Sequence, residues 1–249
     1  MSRISLLGTP IDTLTRKEAI ERLQTMLVSE KSHHVMTPNS EMLVAAQKNE
    51  QFRDVLLRSD LNLPDSIGIV WMAKYLGYII PERVTGVDTV IAFCETLTEA
   101  DSVFFLGAAP GVAEKAAVAL HILNPHLQIA GTFAGSPQES DAATIIEQIN
   151  AVHPHILLVA YGAPAQDLWI DRYLKELSSV RIAMGVGGTF DFLAGTKKRA
   201  PKMMQYLGLE WLWRLVQEPQ RLPRILNAVL VFPWLVIRSQ WSSPHAEDR

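Results

Sequence analysis

Cysteine is almost missing from this chain: Cys94 is the single thiol in 249 residues. One thiol excludes an intramolecular disulfide framework and any cysteine-cluster metal site, and it fits a reducing cytosol. Long apolar runs are missing too. The best candidate, residues 225–237, covers 13 positions and includes Asn227 and Pro233. A helix needs about 20 apolar residues to cross a bilayer, so this segment is expected to lie on a membrane without spanning it. Residues 1–20 hold no apolar stretch of the roughly 7–15 residues found in a secretory signal, so none is expected. The chain contains no HExxH, no DxD and no GxGxxG. The seven His form no ligand pattern: His33 and His34 are adjacent on an expected strand and face opposite sides, and His153 and His155 flank Pro154. No metal and no cofactor is therefore expected.

What is present is a well-supplied core, with 48% apolar residues. At about 100–200 residues per domain, the length suits one large domain or one domain with an appendage. The net charge of −3 conceals an asymmetry. Residues 1–194 carry 14 Lys+Arg and 22 Asp+Glu, giving −8, whereas residues 195–249 carry 9 and 4, giving +5. Four of the six Trp (Trp211, Trp213, Trp234 and Trp241) also lie in the basic part. Such asymmetry points to an anionic partner. Few Lys, no nucleic-acid signature and long apolar stretches argue against nucleic acid. A basic, Trp-rich, apolar segment suits a membrane surface. The composition shift near residues 196–201 divides an expected catalytic domain, 1–195, from a helical appendage, 196–249.

Along the first part, short apolar runs alternate with helical patterns. Strands are expected at residues 33–37, 61–63, 102–106, 127–131, 156–160 and 181–186, with helices at about 40–58 and 67–76. Alternation at this spacing implies crossover units, hence an α/β fold with a Rossmann-like, mostly parallel sheet flanked by helices. In an open parallel sheet, ligands bind at the carboxyl ends of the strands. The turns there are Thr37-Pro38-Asn39, Pro64-Asp65-Ser66, Gly107–Gly111 with Ala108, Gly131-Thr132, Tyr161–Gln166 with Gly162, and Gly185–Asp191 with Gly187, Gly188 and Phe190. Glycine allows close backbone approach, and helix-start amides attract phosphate. Several such turns on one edge make a nucleotide-diphosphate pocket. Each of them also reads as ordinary turn chemistry.

Asp65 is the sharpest candidate. It follows a short strand, and no Lys or Arg occurs in residues 59–71. It reads equally as a catalytic base and as the N-cap of the helix at 67–76. Thr37 and Asn39 could orient a substrate or a base; an Asx turn around Pro38 is the plainer reading. Without a metal ion, Arg83, Gln166 and helix-start amides would neutralise a diphosphate. Arg83 alone reads more readily as a solvated surface residue. Arg214, Arg221 and Arg224 are spaced to share one helical face, with Pro219 and Pro223 expected to interrupt that helix.

Taken together, these stretches resemble the WecG/TagA/CpsF family of bacterial glycosyltransferases (glycosyltransferase family 26). The resemblance rests on Thr37-Pro38-Asn39 with Glu41, Leu63-Pro64-Asp65 with Gly68, and Pro81–Val84 with Gly86 and Asp88. It continues through Gly162-Ala163-Pro164 with Gln166, Gly185–Gly188 to Phe192, Arg199-Ala200-Pro201, and Leu209-Glu210-Trp211 with Arg214, Glu218, Pro219 and Arg221. The matches run in the family's order from about residue 5 to 225. The chain departs at Ser66 and Asp167, where the family carries Gly and Glu.

The resemblance implies inverting, metal-independent transfer of a sugar, N-acetylmannosamine-type above all, from a UDP-sugar to a polyprenyl-diphosphate-linked sugar. This is chemistry of cell-surface polysaccharide or teichoic-acid-type synthesis. The catalytic base falls at Asp65, with Thr37, Asn39, Arg83 and Gln166 around it, and appendage arginines approach the lipid diphosphate. The expected location is cytoplasmic, peripheral on the inner face of the cell membrane. Homo-oligomerisation stays open. Two other classes compete: a nucleotide-sugar oxidoreductase, which lacks its GxGxxG here, and a non-catalytic, membrane-bound UDP-sugar-binding protein.

Overall fold

The computed structural model describes residues 2–241. The last eight positions of the expected appendage lie outside the described residues. Six strands form one parallel sheet in the order β4-β3-β8-β7-β5-β6. They are β3 (His33–Met36), β4 (Leu61–Asn62), β5 (Ser102–Gly107), β6 (Gln128–Phe133), β7 (Ile156–Ala160) and β8 (Ile182–Gly185). The α/β architecture expected from the alternation is the one observed.

Successive side chains of a strand point to opposite faces, and here both faces are covered. On β5, Val103 and Phe105 join one core with Ile156, Leu158 and Met184, beneath helices α1 (Arg16–Leu27), α5 (Gly86–Thr96) and α6 (Val112–Leu123). Phe104 and Leu106 join a second core with Leu157, Val159 and Ala183, beneath α7 (Glu139–Val152) and α8 (Ala165–Tyr173). Burial on both faces is why these strands read as continuous apolar runs and not as alternating ones.

Four details depart from the sequence reading. An antiparallel hairpin, β1 (Arg3–Leu6) and β2 (Thr9–Asp12), precedes the sheet. Asp12 ties it to the sheet by accepting from the Asn62 amide at 2.7 Å while pairing with Arg3. The single helix expected over 40–58 is two, α2 (Ser40–Ala46) and α3 (Glu50–Arg58). The break falls where the Asn49 side chain accepts from the Phe52 amide and caps the second helix;. At α4 (Ile67–Tyr75) the cap is Ser66, not Asp65.

The fourth concerns the C-terminal part, where α9 (Thr189–Leu193), α10 (Lys202–Tyr206) and α11 (Glu210–Gln217) follow the sheet. Beyond them one helical run extends from Pro219 to Trp241, through α12 (Leu222–Leu226), a π-helical stretch (Asn227–Val231) and α13 (Phe232–Trp241). Pro219 and Pro223 do not interrupt it, because both occupy the first turns of their segments, where no amide hydrogen is needed;. The run therefore has 23 residues, and its most apolar 18-residue window has a mean hydropathy of 1.3, long and apolar enough to cross a membrane by length and composition, which corrects the 13-residue limit. One face of it is already used. Phe232 and Val236 are buried in a third core with Leu6, Ile11, Leu43, Ile69 and Met72, from the hairpin, α2 and α4. Burial of Phe232 alone contributes about 1.5–3 kcal/mol.

Candidate active site

The carboxyl ends of β3, β4, β7 and β8 open onto two adjoining hollows. Asn39, Glu41, Asp65, Val87, Arg214, Arg221 and Arg224 line both. The hollow on the sheet side adds Thr37, Gly86, Gly162, Gln166, Gly187 and Gly188. The one beneath the appendage adds Arg83, Arg199, Glu210, Trp211, Ile225 and Ala228. Asp65 thus stands in the wall the two share.

Asp65 is placed by backbone bonds. Its amide donates to the Pro38 carbonyl at 3.0 Å, and its Oδ1 accepts from the Gly86 amide at 3.1 Å, at the start of α5. Ser66 relieves it of capping duty: its hydroxyl accepts from the Ile69 amide and lies 2.8 Å from the Ser40 hydroxyl. Burial raises the proton affinity of Asp65 above the usual carboxylate range. Arg214, the Gly86 amide and Arg83 oppose this, and Glu210 adds to it. Desolvation strengthens a carboxylate as a base.

Thr37 directly follows β3 and packs against α5 at Gly86. A Cβ at position 86 would come within 3.3 Å of the Thr37 hydroxyl, a tight contact that glycine avoids. Asn39 caps α2 by accepting from the Met42 amide at 3.0 Å. It does so while lining both hollows. Gln166, on α8, is buried. Its Oε1 accepts from the Gly162 and Gly187 amides at 3.0 and 2.9 Å, joining the loops after β7 and β8. Gly185 makes room for it: a Cβ there would sit 2.6 Å from the Gln166 amide nitrogen.

The arginines converge although α11 and α12 are separate helices. Arg214 stacks over the Phe192 ring at 4.9 Å, and burial lowers its proton affinity. Arg221 pairs with Glu218, and Arg224 Nε lies 2.9 Å from Glu41 Oε1. Arg83 is not a solvated surface residue; its guanidinium pairs with Glu210 at 2.8 Å.

The remaining nucleotide-site candidates divide. Gly162, Gly187 and Gly188 line the sheet-side hollow. Asp191 lies beside it, with Gly188, Lys197, Glu218 and Arg221, and pairs with Lys197 at 3.2 Å. Gly107, Ala108, Tyr161, Gly185 and Phe190 line none of these hollows. Phe190 is wholly buried against Phe105, with ring centroids 5.4 Å apart. The Tyr161 ring meets Trp169 edge-on. Gly107 is packed against the Ala160 backbone, whose carbonyl accepts from the Ala108 amide. A β-strand-to-helix turn looks the same in sequence whether its side chains face a ligand or the core.

Sequence reasoning assigned no role to Glu41, Asp88, Arg199, Glu210 or Glu218. The available signal was Glu210 one helical turn before Arg214, in a segment poor in carboxylates. Among the described residues, no three His, Cys, Asp or Glu gather as metal ligands.

The family model of the WecG/TagA/CpsF glycosyl transferases matches residues 4–246. The chain is 34% identical to the N-acetylglucosaminyldiphosphoundecaprenol N-acetyl-beta-D-mannosaminyltransferase of Bacillus spizizenii, over 82% of this chain and 78% of that protein. The Bacillus subtilis enzyme of the same name is also 34% identical, over 78% and 75%. That of Staphylococcus aureus is 25% identical, over 96% and 94%.

Proposed function

The chain belongs to the WecG/TagA/CpsF family of glycosyltransferases, and from that premise we propose that it moves an N-acetylmannosamine-type sugar from a UDP-sugar to a polyprenyl-diphosphate-linked sugar. The substrates named for the Bacillus and Staphylococcus relatives support this reading, as does the double hollow. The setting is cell-surface polysaccharide or teichoic-acid-type synthesis.

One observation carries the proposal: Asp65 stands where the two hollows meet. In this reading the donor lies in the sheet-side hollow, over the Gly162 and Gly187 loops that Gln166 joins. The acceptor enters beneath the appendage. Its hydroxyl oxygen attacks the anomeric carbon from the face opposite the leaving group, and Asp65 takes the hydroxyl proton. The bond from the anomeric carbon to the diphosphate oxygen breaks, and UDP departs with the electron pair. General-base assistance of this kind contributes about 10²–10⁴-fold. Charge developing on the diphosphate meets arginine guanidinium groups and backbone amides already in position, which need no reorganisation. Thr37 and Asn39 line the path between base and donor.

Residues 196–249 act as an appendage that closes the site and rests on the inner face of the cell membrane. Leu222, Leu226, Leu230, Trp234 and Trp241 are exposed along the long helical run. Arg221, Arg224 and Arg238 provide its charge, and no Asp or Glu occurs between residues 219 and 241. A lipid surface with anionic headgroups suits both features. Arg214, Arg221 and Arg224 then take the lipid diphosphate, exchanging Glu41 and Glu218 for phosphate oxygens.

A panel of UDP-sugars offered with a short-chain lipid-diphosphate acceptor, read by mass spectrometry, tests the reading. The expected product is the acceptor heavier by one N-acetylhexosamine. Reduction or oxidation of a nicotinamide cofactor instead of transfer would favour the oxidoreductase. UDP-sugar binding without turnover on any acceptor would favour the non-catalytic binder.

A further inference from the structure

Arg83 and Arg214 line the hollow of Asp65 from different parts of the molecule. Arg83 belongs to the loop before α5 and Arg214 to α11 of the C-terminal part, and the positive charge of each favours the ionised Asp65 carboxylate. Glu210 is the group that relates them. It begins α11 one turn before Arg214, so the two side chains share a helix face. Its Oε2 lies 2.8 Å from Arg83 Nη2, and its Oε1 lies 3.4 Å from Arg199 Nε.

Arg199 in turn grips Asp88 with two parallel bonds, the Nη2–Oδ2 bond being 2.8 Å long. Asp88 stands in the first turn of α5 and also accepts from the Thr85 hydroxyl at 2.6 Å. That same turn supplies the Gly86 amide to Asp65. The contacts therefore form a chain from Asp65 through the start of α5, Asp88, Arg199 and Glu210 to Arg83, which lines the same hollow as Asp65. The side chains of Arg83, Glu210, Arg199 and Asp88 are 18–30% exposed, too enclosed for water to screen them fully;.

We propose that Glu210 is a positioning residue: it holds Arg83 beside the base and docks α11 so that Arg214 faces the same carboxylate, with Arg199 and Asp88 as its brace. The inference rests on the glycosyltransferase reading and adds a residue to it. Charge-assisted, forked pairs fix direction as well as distance. Placement matters here because a displacement of about 1 Å in a reacting constellation costs about 10²-fold in rate.

The test uses the full chain with a UDP-sugar and a lipid-diphosphate acceptor in vesicles. Glu210→Ala should lower kcat about 10–100-fold and leave UDP affinity within about twofold, as expected when placement is lost and not ground-state binding. Glu210→Gln keeps the shape and removes the charge. The groups facing Asp65 are then Arg83, Arg214 and the Gly86 amide, all favouring its ionised form. The acid limb of its kcat–pH profile should move to lower pH. A wild-type kcat in Glu210→Ala overturns the inference, and so does an unmoved acid limb in Glu210→Gln. If the wild-type chain transfers no sugar, the failure lies with the glycosyltransferase reading instead. The wild-type control separates the two.

Discussion

Asp65 and Ser66 are neighbours that serve different helices: the Ser66 hydroxyl accepts from the Ile69 amide at the start of α4, while Asp65 Oδ1 accepts from the Gly86 amide at the start of α5. The division leaves Asp65 without capping duty, in the wall that the two hollows share. Asp65→Asn retains the size and the Gly86 bond but cannot take a proton. Its kcat should fall at least about 10²-fold with UDP binding nearly intact. Normal turnover in a folded Asp65→Asn protein would remove the assignment.

The same residue predicts a stability effect of definite sign. Burial, outweighing Arg214, the Gly86 amide and Arg83, sets the folded-state pKa of Asp65 above its unfolded value. Between those two values the folded state binds more protons, so Asp65 lowers stability as pH rises through that window. At neutral pH the neutral Asn should therefore raise the melting temperature. The gain should vanish in acid, where both forms are uncharged. Thermal denaturation from pH 3 to 8 reads it directly; a less stable Asn variant at neutral pH would mean that the arginines win over desolvation.

The strand-turn-helix alternation was legible because sheet strands buried on both faces leave unbroken apolar runs, as in residues 156–160. The grouping of Thr37, Asp65, Gln166 and Gly187 was legible too, since a parallel sheet brings strand ends to one edge. The first hairpin was not. Its turn is Leu7-Gly8, with both residues at positive φ, and Leu7 carries none of the usual turn chemistry. Phe190 lies in the Gly185–Asp191 turn and so reads from sequence as a ligand contact, yet one helical turn carries its ring into the core against Phe105. The continuity of the last helix was hidden by Pro219 and Pro223, which break a helix interior but suit a first turn.

Transfer is expected to survive EDTA. Arg214, Arg221 and Arg224 line the junction of the hollows and Arg83 lines the one beneath the appendage, supplying positive charge where a diphosphate must be neutralised. Asp191, beside the sheet-side hollow, is engaged by Lys197. Transfer rates measured with and without chelator decide the matter. Complete loss with chelator, restored by Mg²⁺ or Mn²⁺, would contradict the expectation and implicate Asp191.

The appendage should prove necessary for turnover and separable from UDP binding. Phe232 and Val236 anchor the last helix on the hairpin, α2 and α4, while Leu230, Trp234 and Trp241 on the same run remain exposed. Trp favours the headgroup level of a bilayer, and each basic residue near an anionic surface contributes about 1 kcal/mol. Arg221 and Arg224 are held by Glu218 and Glu41, so an arriving diphosphate exchanges one anionic partner for another and leaves neither arginine unpaired. Replacing both arginines by Ala should weaken binding to anionic vesicles and, more strongly, turnover on a lipid-linked acceptor. Replacing Trp234 and Trp241 by Ala should weaken vesicle binding while sparing turnover on a short-chain soluble acceptor. Truncation before Leu209 removes Glu210 and the three arginines together; it should leave UDP binding measurable by calorimetry and reduce transfer to near background. Full activity of that truncated chain on a lipid-linked acceptor would show that the sheet-edge residues suffice, and would reduce the appendage to a helical cover on the hairpin and α4.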